Sequence, residues 1–154
     1  MMKVLFICHG NICRSPMAEF VMKKLLADNN IHNVEVSSAA VSSEEQGNDI
    51  YPPAKSVMRA NDIPFSRHYA HRVTDSEFED ADIVYVMDSS NYQLLKKRFY
   101  SNSKKIHMLL NHDVADPWYS GDFEKTYQEI TEGCTKIING LVCVSKEYFH
   151  RCLK

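Results

Sequence analysis

Hydrophobic positions along the chain fall into two patterns, short continuous runs and stripes stepped by three or four residues, and the two alternate. The run Val4-Leu5-Phe6-Ile7 predicts a first strand. Behind it Met17, Phe20, Val21 and Leu25 recur at helical spacing, with Ser15 as N-cap and Pro16 at the first helical position, in a helix running to about residue 29. Val34, Val36 and the small residues at 37–40 read as a second strand, and the polar stretch 42–50, which has no period, as a surface loop. Tyr51-Pro52-Pro53 opens a short helix over 54–61. Ile63-Pro64-Phe65 then leads into a basic cluster, Arg67-His68-Tyr69-Ala70-His71-Arg72, of the kind that usually forms a solvated connection.

The second half repeats the alternation. Residues 82–87 form a near-continuous apolar run, as in strands covered on both faces, and 105–110 is a weaker case. Between them lies a helix capped by Ser89 or Ser90, with Leu94, Leu95, Arg98 and Phe99 at its helical spacings. A long helix is expected over 122–150, where Phe123, Tyr127, Ile130, Cys134, Ile137, Leu141, Val144 and Tyr148 form one core-facing stripe. Gly133 and Gly140 interrupt it at about 1 kcal/mol each relative to Ala, which implies close packing or a slight bend. Strands and helices alternating at this period imply right-handed crossovers onto one parallel sheet. Ligands of such sheets bind beyond the carboxyl ends of the strands, often at a switch point.

Composition narrows the class. At 154 residues, 44% of them hydrophobic, the chain is expected to form a single domain, 1–154, with a core of its own. A net charge of -2 gives no electrostatic footprint for nucleic acid, and no apolar run approaches a membrane span. The N-terminus has neither the length nor the processing site of a signal peptide, so a cytoplasmic location is expected. Five cysteines without a regular framework argue against a disulfide scaffold. Cys134, Cys143 and Cys152 cannot share a metal, because on a helix the outer two lie roughly 27 Å apart. With the histidines scattered, no metal site is expected.

Chemistry concentrates directly after the first strand, in Cys8-His9-Gly10-Asn11-Ile12-Cys13-Arg14-Ser15. A strand-loop-helix junction points backbone N–H groups and the positive end of a helix dipole at whatever sits there, which attracts anions and favours a thiolate. Cys8 is the candidate nucleophile. Arg14 supplies a planar cationic fork that fits two phosphate oxygens, and Gly10 and Asn11 tolerate the positive φ of a tightly wrapped loop. The bland reading of Cys8 alone is a buried cysteine at a strand end. A thiolate attacking phosphorus must expel an alkoxide or phenoxide, and that oxygen needs a proton from a positioned acid. Asp113 and Asp116 follow the last strand at the same sheet edge. Asp116 is the better candidate, since Pro117 restricts its backbone to extended geometry and Trp118 and Tyr119 supply aromatic walls, although an Asp-Pro pair in isolation is as often a turn initiator.

The Cys-x5-Arg-Ser loop resembles the signature of cysteine-based phosphatases. Its wording at Cys8 to Pro16 is similar to that of the low-molecular-weight protein tyrosine phosphatase family. Asp116-Pro117-Trp118-Tyr119 resembles the acid loop of the same family, and so do Ser38-Ala39-Ala40, Met87-Asp88-x-x-Asn91 and the long terminal helix. The resemblance implies a three-layer α/β/α fold around a mostly parallel four-stranded sheet, flavodoxin-like or Rossmann-like. It implies Cys8 as nucleophile, Arg14 as phosphate ligand, Asp116 as general acid, Ser15 as a hydrogen-bond donor to the Cys8 sulfur, and Asn11 as the shaper of the loop with His68 as its buttress. His71 stands where many members have Arg, and His9 where many have a small or apolar residue.

The substrates implied are phosphotyrosine proteins or aryl phosphates, with inorganic phosphate as product and inhibitor and no cofactor; a monomer is expected. Members acting on phosphoarginine usually carry Thr where this loop has Ile12, so Ile12 with Trp118 and Tyr119 is expected to line a slot for an aromatic ring. The rivals are a protein arginine phosphatase, an arsenate reductase, which needs a further cysteine pair although no cysteine lies between Cys13 and Cys134, and a module that binds phosphate without turning it over. Cys13, five residues from Cys8, is expected to close a reversible disulfide with it under peroxide, the two forming a redox-sensitive thiol pair.

Overall fold

A computed structural model describes the backbone of residues 1–152 and the side chains of residues 1–143. Four strands, β1 (Met2–Cys8), β2 (Val34–Ala40), β3 (Ile83–Val86) and β4 (Ile106–Met108), pair in the order β2-β1-β3-β4. Every pairing is parallel, so the sheet is wholly rather than mostly parallel. The chain leaves β1 for β2 on one side and returns to β3 on the other, which puts the switch point of the sheet at the end of β1.

The period of two along β1 sorts its side chains between the two outer layers. Val4, Phe6 and Cys8 face a core shared with α1 (Arg14–Asp28), α2 (Pro52–Ala60) and α6 (Phe123–Cys152), through Met17, Val21, Met58, Ile130 and Cys134. Leu5 and Ile7 face the other way, with Val84 and Val86, toward Phe78 of α3 (Asp75–Asp80) and Leu95 of α4 (Ser89–Arg98). The three layers are therefore those expected. Among the described residues no helix is long and apolar enough to cross a membrane.

Several boundaries differ from expectation, each for a physical reason. Helix α1 starts at Arg14 with Cys13 at the cap position, and Ser15 does not cap it because its hydroxyl is bonded to Cys8 and Asn11. Helix α4 is capped by Asp88, whose carboxylate accepts from the Asn91 N–H, rather than by Ser89 or Ser90. Leu94 is exposed while Leu95 is buried. Helix α3 was not foreseen, although Thr74 and Glu77 form a capping box and Phe78 stacks on Phe99 with ring centroids 3.9 Å apart. Its last turn is closed by Lys105, whose ammonium donates to the carbonyls of Phe78 and Ala81. Lys105 ends a 3-10 segment, Tyr100–Lys105, and a short helix α5, Pro117–Ser120, follows Asp116; neither was expected.

The 67–72 segment is only partly the solvated connection expected, with Arg67, Tyr69 and Arg72 exposed. His68 and Ala70 are buried, and Arg72 forms a parallel bridge with Ala40 at the end of β2. In α6 the expected stripe holds through Ile130, Cys134 and their partly buried neighbours Tyr127, Ile137 and Leu141. The side chains of Val144, Tyr148 and Cys152 lie outside the described residues. Gly133 is where close packing occurs, since a Cβ there would fall 2.5 Å from Leu109 Cγ, whereas Gly140 meets nothing within 4 Å.

Candidate active site

Cys8 is the last residue of β1, in register with Ala40, so the sheet itself fixes its position. The loop that follows curls back over it. The Asn11 N–H reaches Cys8 Sγ at 3.2 Å and Ser15 Oγ lies 3.0 Å from the same sulfur. Asn11 makes the curl with φ of 61°, a left-handed conformation that Asn adopts more readily than most residues. Gly10 is not in that region, contrary to expectation; its bare α-carbon instead makes room for Glu45, whose Cγ lies 3.3 Å from where a Cβ would stand.

Asn11 is completely buried, and its amide is fully engaged. Its Nδ2 donates to Ser15 Oγ at 2.9 Å and Ser38 Oγ at 3.1 Å. Its Oδ1 accepts from His68 Nε2 at 3.1 Å and from the His71 N–H at 3.3 Å, and its carbonyl accepts from His68 Nε2 at 2.8 Å. Both partners of His68 Nε2 are acceptors, so that nitrogen carries the proton. Burial lowers the pKa of His68, which keeps the ring neutral. Because Ser15 Oγ accepts from Asn11, its own hydrogen is left to point at Cys8 Sγ, 3.0 Å away, or at the Ala39 carbonyl, 3.4 Å away. Ser38 passes the relay outward, its hydroxyl donating to Glu19 at 2.7 Å. Sequence reasoning found His68 but neither Ser38 nor Glu19 in this role, since only the tertiary fold brings β2 and α1 to the loop.

Arg14 is 3% exposed. Its guanidinium donates to Asp88 at 2.8 Å, to the Val114 carbonyl at 3.0 Å and to Asp116 at 3.3 Å. Burial alone would lower its pKa, but Cys8, Asp116 and Asp88 outweigh burial and raise it, so the cation is permanent. Asp88 thus caps α4 with one oxygen and orients Arg14 with the other, a role the sequence signalled only as part of Met87-Asp88-x-x-Asn91.

Asp116 caps α5, its backbone extended before Pro117 as expected, and its side chain accepts from the Trp118 N–H at 3.1 Å. Asp113 is turned elsewhere, onto Ser89. Trp118 packs on Tyr51, ring centroids 5.1 Å apart, and Tyr51 in turn packs on Phe123, so an aromatic ladder supports the acid turn. From the sequence Tyr51 reads only as a helix-start residue.

One cleft of about 240 Å³ brings these groups together. Its floor and wall are the loop residues Cys8 through Arg14, Ile12 included; Asp116, Trp118 and Tyr119 stand opposite in sequence, on the turn after β4. Ile12 is 8% exposed and packs mainly against Cys13, Ala70, Tyr51 and Phe123, while Trp118 and Tyr119 are 55% and 87% exposed. Glu44 and Glu45, from the polar loop after β2, complete the lining, and nothing in their sequence marked them. Ser15 and His68 lie behind the loop as supports.

A thiol under a backbone N–H beside a buried arginine, at the switch point of a parallel sheet and facing an aspartate, has the chemistry of a cysteine-based site for phosphoryl groups. A sequence profile described as low molecular weight phosphotyrosine protein phosphatase matches residues 3–147, and the chain belongs to that family. The human low molecular weight phosphotyrosine protein phosphatase is 40% identical over 145 residues, covering 85% of this chain and 90% of the human one. The low molecular weight protein-tyrosine-phosphatase YfkJ of Bacillus subtilis is 33% identical over 147 residues, covering 90% and 94%. The crystal structure of a low molecular weight protein tyrosine phosphatase from Streptococcus pyogenes superposes with a TM-score of 0.88 at 38% identity, over 97% of this chain and 98% of that one.

Proposed function

We propose that this chain is one catalytic domain that hydrolyses phosphotyrosine in proteins, and small aryl phosphates, through a phosphocysteine intermediate. The observation that carries the reading is the single cleft holding Cys8, Arg14 and Asp116 together, with Cys8 Sγ bonded by the Asn11 N–H. The phosphoryl dianion enters the loop, and Arg14 turns its fork from Asp116 to two phosphate oxygens while Asp88 keeps hold of its other edge. Cys8 Sγ attacks phosphorus in line as the P–O bond to the phenol breaks, and Asp116 gives its proton to the departing oxygen. The Asp116 carboxylate then takes a proton from water, which attacks phosphorus, breaks the S–P bond and releases inorganic phosphate. The Ser15 hydroxyl stabilises the sulfur as a leaving group in that second step. Phosphate, as product, should compete with substrate. A monomeric, cytoplasmic protein belongs to the same reading.

The exposed rings of Trp118 and Tyr119, sharing the cleft with the loop that carries Ile12, favour an aromatic substrate. Burying such a ring is worth roughly 1.5 to 4 kcal/mol. Phosphotyrosine peptides should therefore exceed matched phosphoserine and phosphoarginine peptides in kcat/KM by about tenfold to several hundredfold. Equal rates on all three, or a preference for phosphoarginine, would overturn the assignment, and Cys8→Ser should have no turnover on any of them.

A further inference from the structure

Glu44 and Glu45 line the same cleft as Cys8 and Arg14, yet the phosphoryl transfer above gives them nothing to do. Each makes one side-chain hydrogen bond at the rim of the cleft. Glu44 Oε2 meets His9 Nε2 at 3.1 Å, and the His9 carbonyl is itself fixed by the N–H and hydroxyl of Ser42. Glu45 Oε2 accepts from Asn48 Nδ2 at 2.7 Å, and its stem rests on Gly10, where any side chain would press on it. Each bond uses one carboxylate oxygen and leaves the other for a ligand. With Asp116 counted, three carboxylates and one arginine share a cleft that must admit a dianion. Fixed charges of the substrate's own sign at an entrance weaken its capture, unless the substrate brings a compensating charge with it.

We propose that Glu44 and Glu45 read a lysine or arginine beside the phosphotyrosine, so that this protein selects phosphotyrosine in a basic sequence context and rejects it in an acidic one. The proposal rests on the phosphotyrosine reading above and adds to it the class of sequence around the substrate. Geometry allows it: a neighbouring residue's Cα lies 3.8 Å from that of the phosphotyrosine, and a lysine or arginine side chain spans the width of a small cleft. Once Arg14 has turned to the phosphate, Asp116 is committed to the leaving oxygen, so the recognition falls to the two glutamates. His9 holds Glu44 in place until the substrate cation shares or takes over that carboxylate.

The test compares kcat/KM on p-nitrophenyl phosphate and on three phosphotyrosine peptides, identical except for Lys, Ala or Glu on both sides of the phosphotyrosine. In the wild-type protein the Lys-flanked peptide should exceed the Glu-flanked one by about tenfold to thirtyfold at low salt, because each charge pair at an aqueous rim counts for a few-fold. Half-molar salt should bring the ratio down to about threefold or less. In the double variant Glu44→Gln, Glu45→Gln the ratio should drop to about twofold or less at low salt. The ratio is taken within one preparation, so any loss of folded protein cancels. A wild-type ratio near one or inverted, or a ratio the double variant leaves intact, overturns the proposal. Turnover of p-nitrophenyl phosphate alongside a flat peptide series would leave the phosphatase reading standing, whereas no turnover of any of the four substrates removes that reading and the proposal with it.

Discussion

Asp116 shows what a single side chain in this site must do twice. Bonded to Arg14 at 3.3 Å and to the Trp118 N–H, it is positioned before any substrate arrives. Asp116→Ala should lower kcat/KM, which reports the step that expels the phenol, by roughly 10²- to 10⁴-fold on phenyl phosphates with poor leaving groups, and much less on p-nitrophenyl phosphate, whose phenol leaves without help. A leaving-group plot, log kcat/KM against the pKa of the phenol, should be steep for the variant and flat for the wild type. Cys13 has a different constraint. Burial, reinforced by Cys8 and Asp116, pushes its thiol far up, so Cys13 is protonated at neutral pH. Closing a disulfide on a Cys8 sulfenic acid, with loss of water, needs the Cys13 thiolate. The bond should therefore form slowly at pH 7 and about tenfold faster per pH unit above it, as quenched peptide mapping after peroxide would show; a flat pH dependence would point to another resolving group.

Between residues and fold, the elements carry the site. Helix α6 lies against the rest of the molecule at Gly133, with Leu109 filling the space a side chain would need. Gly133→Ala should cost about 1 to 3 kcal/mol, read as a lower urea midpoint with an unchanged slope, because the branch point of Leu109 and not merely its tip must move. The 68–73 segment contains two histidines that titrate in opposite senses. Burial holds the pKa of His68 down, so the unfolded chain binds more protons there and stability falls as pH drops below about 6.5. At His71 burial acts the same way but is outweighed by the bond to Glu77 at 2.7 Å, which raises the pKa. Its contribution is complete below about pH 6.5 and is lost as pH climbs through the raised value. His71→Gln should remove the decline of unfolding free energy that sets in above about pH 6.5, and denaturant titrations at rising pH would measure it. These elements also mark how far the chain could be read in advance. The Cys8 loop and the Asp116 turn were legible because each is a local motif whose chemistry sits in consecutive residues. Helix caps were misassigned where two good candidates stood side by side: Ser15's hydroxyl was claimed by Cys8, and Asp88 stood one place before two serines. Ser38, Glu19, Tyr51 and Glu44 reach the site only through pairing and packing across the fold, which no local pattern encodes.

At the scale of the whole molecule, one carboxylate ties several segments together. Asp49 meets Lys55 at 2.5 Å and Arg67 at 3.4 Å, and accepts from the N–H groups of Ile50 and His68. Burial opposes its ionisation, yet Lys55 and the two N–H groups hold its pKa far below the usual carboxylate value. A depressed carboxylate stabilises the fold above its unfolded pKa of about 4 and loses that contribution as pH falls toward the folded value. Asp49→Asn should lower the melting temperature at pH 7 and flatten its fall below about pH 4, and thermal scans from pH 7 downward would show whether it does. The same overall view separates the two reacting groups by how they are attached. Cys8 belongs to a hydrogen-bonded strand in the middle of the sheet, whereas Asp116 rides on a four-residue helical turn beyond its edge. In mechanical terms the proposed nucleophile should stay in place through any motion short of opening the sheet, whereas the proposed acid can shift with one short turn.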